Sequence, residues 1–322
     1  MSPILSTRDL RVTFPTPAGK VLAVRGVNLD VERGEVVGIV GESGSGKSVS
    51  FLSIMGLLPP TALITGSATL DGTELIGADV KTIRSVRGKR MSMIFQDPLS
   101  ALNPVHRIGD QIVEMILAHQ VMSKQQASER AVELLDLVGL PQPAVRAKQY
   151  PHEFSGGMRQ RVMIAMAIAN EPDVLIADEP TTALDVTVQA QILDVLMEVK
   201  SRLNTAVVFI THDLGVIARI ADRVEVMYAG MTVERAQVND MFASPGHPYT
   251  RGLMASLPQV GRQRLQPIVG SPPNMIAPPS GCAFRPRCSE ATDECESAPM
   301  TLVRVGKTET ACIRAQELGV SA

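Results

Sequence analysis

The stretch Gly41-Glu42-Ser43-Gly44-Ser45-Gly46-Lys47-Ser48 lies between the wholly apolar run Val36 to Val40 and the helical run Val49 to Leu58. A short run without polar side chains is what a strand buried on both faces of a sheet looks like. Strand, glycine-rich turn and helix in that order form the frame in which G-x-x-x-x-G-K-S binds phosphate. Gly41, Ser43, Gly44, Ser45 and Gly46 bring backbone N–H groups around phosphate oxygens, and the helix adds the positive end of its dipole. Lys47 is expected to reach the β- and γ-phosphates, and the Ser48 hydroxyl to ligate Mg²⁺.

A second apolar run, Val174 to Ala177, ends in Asp178 and Glu179. Alone, such a pair is more often an ordinary strand end; paired with the glycine-rich motif, carboxylates at the carboxyl end of a buried strand stand where a nucleotide's metal is held. Asp178 is expected beside Mg²⁺, and Glu179 faces the γ-phosphate as general base or water-orienting group. A third segment, Phe154-Ser155-Gly156-Gly157-Met158-Arg159-Gln160, opens a helical pattern. Ser155 and the two glycines at a helix N-terminus make a second anion cradle.

This third segment resembles the signature of the ABC ATPases. The resemblance extends to Gln96 as the Q-loop glutamine, Ala183-Leu184-Asp185 as the D-loop and His212 as the switch histidine, and it covers about Leu10 to Gly230. Taken alone, His212 is a polar residue after a strand, Gln96 a loop residue and Phe14 core packing. The resemblance implies ATP hydrolysis with Glu179, His212 and Gln96 as the catalytic set. Gln96 then joins Ser48 at Mg²⁺, His212 meets the γ-phosphate and Phe14 stacks on adenine. It also implies a head-to-tail dimer, in which Ser155, Gly156 and Gly157, with Asp185, serve the nucleotide held by the partner's P-loop. Met158 departs from the glutamine that is commonest there.

The remaining pattern is α/β. Ile4 to Asp30 alternates apolar and polar residues and breaks at Pro15 to Gly19, which predicts two antiparallel strands. Helical periodicity fills Leu99 to Asn170, with Ile108, Ile112, Met115 and Ile116 and then Ala131, Leu134, Leu135 and Val138 on one face. Strand-like runs at 174–177, 206–210 and 224–227 alternate with helical runs at 188–203 and 214–221. The expected architecture is the P-loop NTPase core of an ABC ATPase with an antiparallel β subdomain over 1–98 and 171–245. A helical subdomain with the signature occupies 99–170, and a Pro- and Cys-rich C-terminal extension occupies 246–322.

Bulk composition sets outer limits. The chain has 322 residues, 45% hydrophobic and 20% charged, which suffices for a packed core. Thirty-one basic against 33 acidic residues leave a formal charge of −2, so no overall positive field holds nucleic acid. The uncharged stretch Ser48 to Leu70 is broken by Gly56, Pro59, Pro60 and Gly66, and reads as helix, turn and strand, not a membrane span. Met1-Ser2-Pro3-Ile4-Leu5 does not resemble a secretory signal, so the chain is expected in the cytosol.

Three features are similar to the ATPase subunits of dipeptide and oligopeptide permeases: Phe95 to Pro104, His247-Pro248-Tyr249-Thr250 and the cysteine-containing tail. Phe-Ser-Gly-Gly-Met resembles their D-type subunit, whose companion is a different F-type ATPase. This resemblance implies a heterodimer, two transmembrane permease subunits and an extracytoplasmic peptide-binding protein, with the chain peripheral at the cytoplasmic face of the membrane. An importer of nickel or another small solute is the alternative. A soluble non-transport ABC ATPase is expected to carry fused tandem halves or coiled-coil insertions, and neither fits this length with one P-loop.

The tail poses a separate question. Pro267, Pro272, Pro273, Pro278 and Pro279 exclude regular helix there, and Cys282-x₅-Cys288-x₆-Cys295-x₁₆-Cys312 follows, with few large apolar residues to form a core. Four thiolates suit a [4Fe–4S] cluster or a structural zinc, and the spacing lacks the C-x₂-C pairs of zinc ribbons. A cluster is the first expectation, zinc the second, and reduced or disulfide-linked thiols the third. His106, His119, His152 and His247 show no metal-ligand spacing and read as structural.

Overall fold

A computed structural model of the chain describes residues 2–182, 184–256 and 267–318. Ala183 of the expected D-loop and two pieces of the C-terminal extension lie outside the described residues. The chain forms two units. The first takes the described residues of Met1–Ile4, Val31–Glu35 and Ala78–Val208, and the second those of Leu5–Asp30, Val36–Gly77 and Phe209–Ala322.

In the second unit, alternating residues make the strands Leu5–Thr16 and Gly19–Val31, as the break at Pro15 to Gly19 predicts. Leu5–Thr16 pairs antiparallel with Leu63–Leu70, Leu5 opposite Leu70 and Val12 opposite Ile64. A second sheet is built on Val36–Val40, all five residues buried, which runs parallel to Arg223–Tyr228 with Val40 opposite Val226. Arg223–Tyr228 turns through Ala229 and Gly230, both at positive φ, into the antiparallel strand Met231–Gln237. Positive φ at both central residues is what a tight hairpin turn requires.

The C-terminal residues extend this sheet. Thr308–Thr310 pairs antiparallel with Met231–Gln237, Glu234 opposite Thr310, and with Val303–Val305 on its other side. No regular helix forms in the described residues 267–279. The short helix Pro248–Ala255 stands before them, with proline at its first turn where the missing N–H costs nothing.

In the first unit, Met91–Ile94 and Val174–Asp178 pair in parallel, Met91 opposite Val174 and Ile94 opposite Ala177. Asp173 ties the start of the second strand to Arg90 at 2.8 Å and Arg33 at 3.3 Å. The helical region resolves into Ile108–Leu117, Lys124–Leu137 and Gly156–Ala167 with shorter pieces between. Lys124–Leu137 begins at a capping box of Ser123 and Gln126. Ile108, Ile112, Ile116, Ala131, Leu134 and Leu135 are all buried, each of the larger ones contributing about 1.5–3 kcal/mol. The strand Ala206–Thr211 begins in the first unit and ends in the second. No helix among the described residues is long and apolar enough to cross a membrane.

Candidate functional site

The strand Val36–Val40 delivers the chain to Gly41, and the helix Lys47–Ile54 carries it away. Gly46 stands at the helix start with φ 95°, and a Cβ there would lie 2.5 Å from the carbonyl oxygen of Ala23. Only glycine lets the loop rest on that backbone. A Cβ on Gly44 would meet nothing within 4 Å, so the loop opens outward at that point and leaves room for a phosphate. Lys47 is only 6% exposed, and its Nζ donates to the carbonyls of Gly41 at 2.8 Å and Glu42 at 2.9 Å. Phosphate oxygens would give this ammonium charged acceptors in place of neutral ones. Ser43 is exposed and Ser48 half-buried. His212, exposed just past Ala206–Thr211, and half-buried Phe14 on Leu5–Thr16 belong to the same unit.

The loop's other supports come from the C-terminal residues. The Glu42 N–H donates to the Tyr249 hydroxyl at 2.8 Å, and the Glu42 carboxylate accepts from both ends of the Arg287 guanidinium. Pro272, Pro273 and Met275 line a cleft of about 150 Å³ together with Glu42 to Ser45. Met275 is fixed there by its carbonyl, which accepts the Leu22 N–H at 2.9 Å. The segment His247-Pro248-Tyr249-Thr250 carries a local signal for this arrangement. His247 Nδ1 accepts the Tyr249 N–H at 3.1 Å and so caps the helix that carries the Tyr249 hydroxyl. Arg287 has no comparable signal in the sequence.

In the first unit, Asp178 is buried at the end of Val174–Asp178, and Glu179 follows at φ 47°. A non-glycine residue in the left-handed region costs on the order of 1 kcal/mol, a strain that sites of chemistry retain. One oxygen of Glu179 accepts both from Gln96 Nε2 at 2.9 Å and from Thr182 Oγ1 at 2.9 Å. Thr182 is a neighbour that motif reading does not reach. Ser155 caps Gly156–Ala167, its Oγ accepting the Met158 N–H at 3.4 Å. Gly157 packs so closely that a Cβ would lie 2.6 Å from Val188 Cγ1, whereas one on Gly156 would meet only Leu184 at 3.8 Å. Exposed Asp185 spends its carboxylate on the N–H groups of Thr187 and Val188, capping Val186–Leu203. This unit therefore gathers Gln96, Thr182 and Glu179 at one point, and sets the Ser155 helix against the helix that Asp185 caps.

Cys282, Cys288, Cys295 and Cys312 line one cavity of about 20 Å³ in the second unit, with His247 in its wall. The four are free thiols, and Cys282 and Cys295 are joined by a backbone hydrogen bond of 2.9 Å. Burial pushes Cys282 and Cys312 above the ordinary thiol range and Cys288 to about 11, and the neighbouring sulfurs add to each shift. Thiols gathered this way ionise together only around a cation. His247 Nε2 is buried with no hydrogen-bond partner among the described residues, and burial lowers this imidazole to about 3, so it is neutral. Among the described residues, no three His, Cys, Asp or Glu side chains are already set around one metal position.

Comparison with known proteins gives these features a setting. Residues 24–182 match the ABC transporter family, and residues 233–295 match the C-terminal region of oligopeptide/dipeptide transporters. The oligopeptide transport ATP-binding protein OppD of Mycobacterium tuberculosis is 53% identical over 98% of this chain. The chain spans about half of that relative's length, 52%. OppD of Salmonella typhimurium is 51% identical over 92% of this chain and 89% of its own. A dimeric ATP-binding cassette, MJ0796, solved in a post-hydrolysis state with ADP and Pi, superposes with a TM-score of 0.65 at 28% identity, over 73% of this chain and 98% of that one. The chain belongs to the ABC transporter family, among the ATP-binding proteins of oligopeptide and dipeptide transport.

Proposed function

We propose that the chain binds ATP with Mg²⁺ and hydrolyses it as the energising subunit of an importer of di- or oligopeptides. The observation that carries this reading is the pair of hydrogen bonds from Gln96 and Thr182 onto one oxygen of Glu179. A carboxylate held in one orientation at the end of a buried strand is suited to orient a water molecule and accept its proton. Backbone N–H groups from Gly41 to Ser48 bind the phosphates, and Lys47 turns from the carbonyls of Gly41 and Glu42 to phosphate oxygens. Ser48, Gln96 and Asp178 are the residues that would hold Mg²⁺, which when bound neutralises charge on those oxygens. His212 contacts the γ-phosphate and Phe14 the adenine.

Ser155, Gly156 and Gly157, with Asp185, serve the nucleotide of a second ATPase subunit of different, F-type sequence. Two permease subunits and an extracytoplasmic peptide-binding protein complete the transporter, and the chain works at the cytoplasmic face of the membrane. The names of the OppD relatives support peptides as cargo. The test is ATPase activity of the assembled transporter, stimulated by peptide-loaded binding protein. Lys47→Ala should weaken ATP binding and abolish that activity. Activity that survives Lys47→Ala, or stimulation by a nickel-loaded binding protein and not a peptide-loaded one, contradicts the reading.

The cysteines extend the reading to a metal centre. Four thiols on one cavity and the orphaned His247 Nε2 in its wall support a site for metal at Cys282, Cys288, Cys295 and Cys312. The donor set and spacing favour a [4Fe–4S] cluster, while a cavity with room for about one water-sized body favours zinc. In either case the metal supplies a structural cross-link to a segment poor in core. Anaerobic purification with metal and sulfide analysis separates the two. Iron with inorganic sulfide supports the cluster, and zinc without iron, or a folded metal-free chain, contradicts it.

A further inference from the structure

One cleft bounded by the second unit has no part in the reading above. It holds about 520 Å³, within the range of small-ligand sites, and lies between the antiparallel strands, Met231–Gln237 and residues 300–302 and 309 of the tail. Three guanidinium groups face two carboxylates in its wall. Arg11 is committed to Asp9 at 2.7 Å. Arg235 is committed to buried Glu225 at 2.5 Å and reaches Glu309 at 3.5 Å.

Arg25 is the exception. Its Nη1 reaches only the Ala229 carbonyl, at 3.4 Å, and no carboxylate among the described residues pairs with it. Burial and then the neighbouring charge of Arg11 lower its pKa, so the cationic form is held at a cost that an anion would relieve. One unpaired positive charge calls for one negative charge. The carboxylates of Asp9 and Glu309 oppose a multiply charged anion, and Glu309, 43% exposed at its side chain, is free on its solvent side to accept an ammonium. Half-buried Met300 and Leu302 add apolar surface.

We propose that this cleft binds a small zwitterion with an apolar side chain, an amino acid or short peptide, with its carboxylate on Arg25 and its ammonium toward Glu309. Arg25 also connects the cleft to the phosphate-binding loop. Its N–H donates to the Gly230 carbonyl at 2.8 Å, and the Gly230 N–H donates to the Ser45 carbonyl at 3.0 Å. A ligand that fixes Arg25 therefore acts on the backbone on which the loop rests, and shifts nucleotide affinity. This second step depends on the nucleotide reading of the loop, whereas binding in the cleft does not.

Titration calorimetry of the nucleotide-free chain with the dipeptide Leu-Leu tests the site. Saturable binding is expected, at least about tenfold weaker for Leu-Leu amide and for Arg25→Gln. Leu302→Trp, which fills the cleft without altering its charge, should abolish binding and decides the matter if Arg25→Gln does not fold. Absence of saturable binding, equal affinity in folded Arg25→Gln or in Leu302→Trp, or inorganic phosphate bound as tightly as Leu-Leu overturns the proposal. With Leu-Leu saturating, the Kd for ATP should move by about threefold or more. An unmoved Kd beside normal ATP binding overturns the link to the loop, and absent ATP binding counts against the nucleotide reading instead.

Discussion

Arg287 holds Glu42 with both arms of its guanidinium, Nη1 2.6 Å from Oε2 and Nη2 2.9 Å from Oε1. The contact joins a residue beside Cys288 to the second residue of the glycine-rich loop Gly41 to Ser48. Tyr228 and Phe284 flank the guanidinium, each ring centre 5.8 Å away. The hydrogen bonds to Glu42 are the main reason that Arg287 is held charged more firmly than an ordinary arginine. Loop and tail segment are thus fastened through a bidentate, largely dehydrated pair, and not a surface salt bridge.

Breaking this pair should be costly because Arg287 is 5% exposed at its side chain and Glu42 26%. Arg287→Ala is expected to destabilise the chain by about 2 kcal/mol, below the range for fully buried pairs because Glu42 retains some water. Denaturant unfolding measures it. A change under about 0.5 kcal/mol would place the pair with ordinary surface ion pairs.

The two glycines of the signature should respond differently to one methyl group. Gly157→Ala puts a Cβ 2.6 Å from Val188 Cγ1, an overpacking expected to cost about 1–3 kcal/mol. Gly156→Ala meets only Leu184 at 3.8 Å and should leave stability unchanged or slightly improved. Thermal unfolding of both variants checks the contrast, and equal losses would refute it.

Ser155→Arg and Lys47→Ala should separate the two anion cradles. Lys47→Ala is expected to weaken this chain's own ATP affinity by tenfold or more, on the order of 1.4 kcal/mol. Ser155→Arg should leave that affinity nearly unchanged and block association with the partner ATPase. Equilibrium nucleotide binding by each variant decides, and equal loss in both contradicts a site shared between two chains.

Much of the fold was legible where one physical cause dominates locally. Val36–Val40 and Val174–Asp178 are buried throughout, so their uninterrupted apolar runs identify them. The hairpin strands Leu5–Thr16 and Gly19–Val31 show their alternation, and the helices Ile108–Leu117 and Lys124–Leu137 show their periodicity. Met91–Ile94 is less legible, because four residues including Ser92 give too short a pattern. Thr308–Thr310 reads as polar tail; pairing to Met231–Gln237, and not its side chains, makes it a strand. In the candidate site, the motifs point to Gln96 and Glu179, whereas Arg287 and Glu42 are 245 positions apart and meet only through tertiary structure.

The central claim is that Glu179, oriented by Gln96 and Thr182, handles the water that attacks ATP. Single-turnover hydrolysis by Glu179→Gln in the assembled transporter, with ATP affinity measured on the same sample, tests it most directly. An amide keeps the shape but cannot accept the proton, so ATP affinity should stay within about twofold while hydrolysis falls by two orders of magnitude or more. Hydrolysis within about threefold of the unaltered transporter at unchanged ATP affinity would contradict the account.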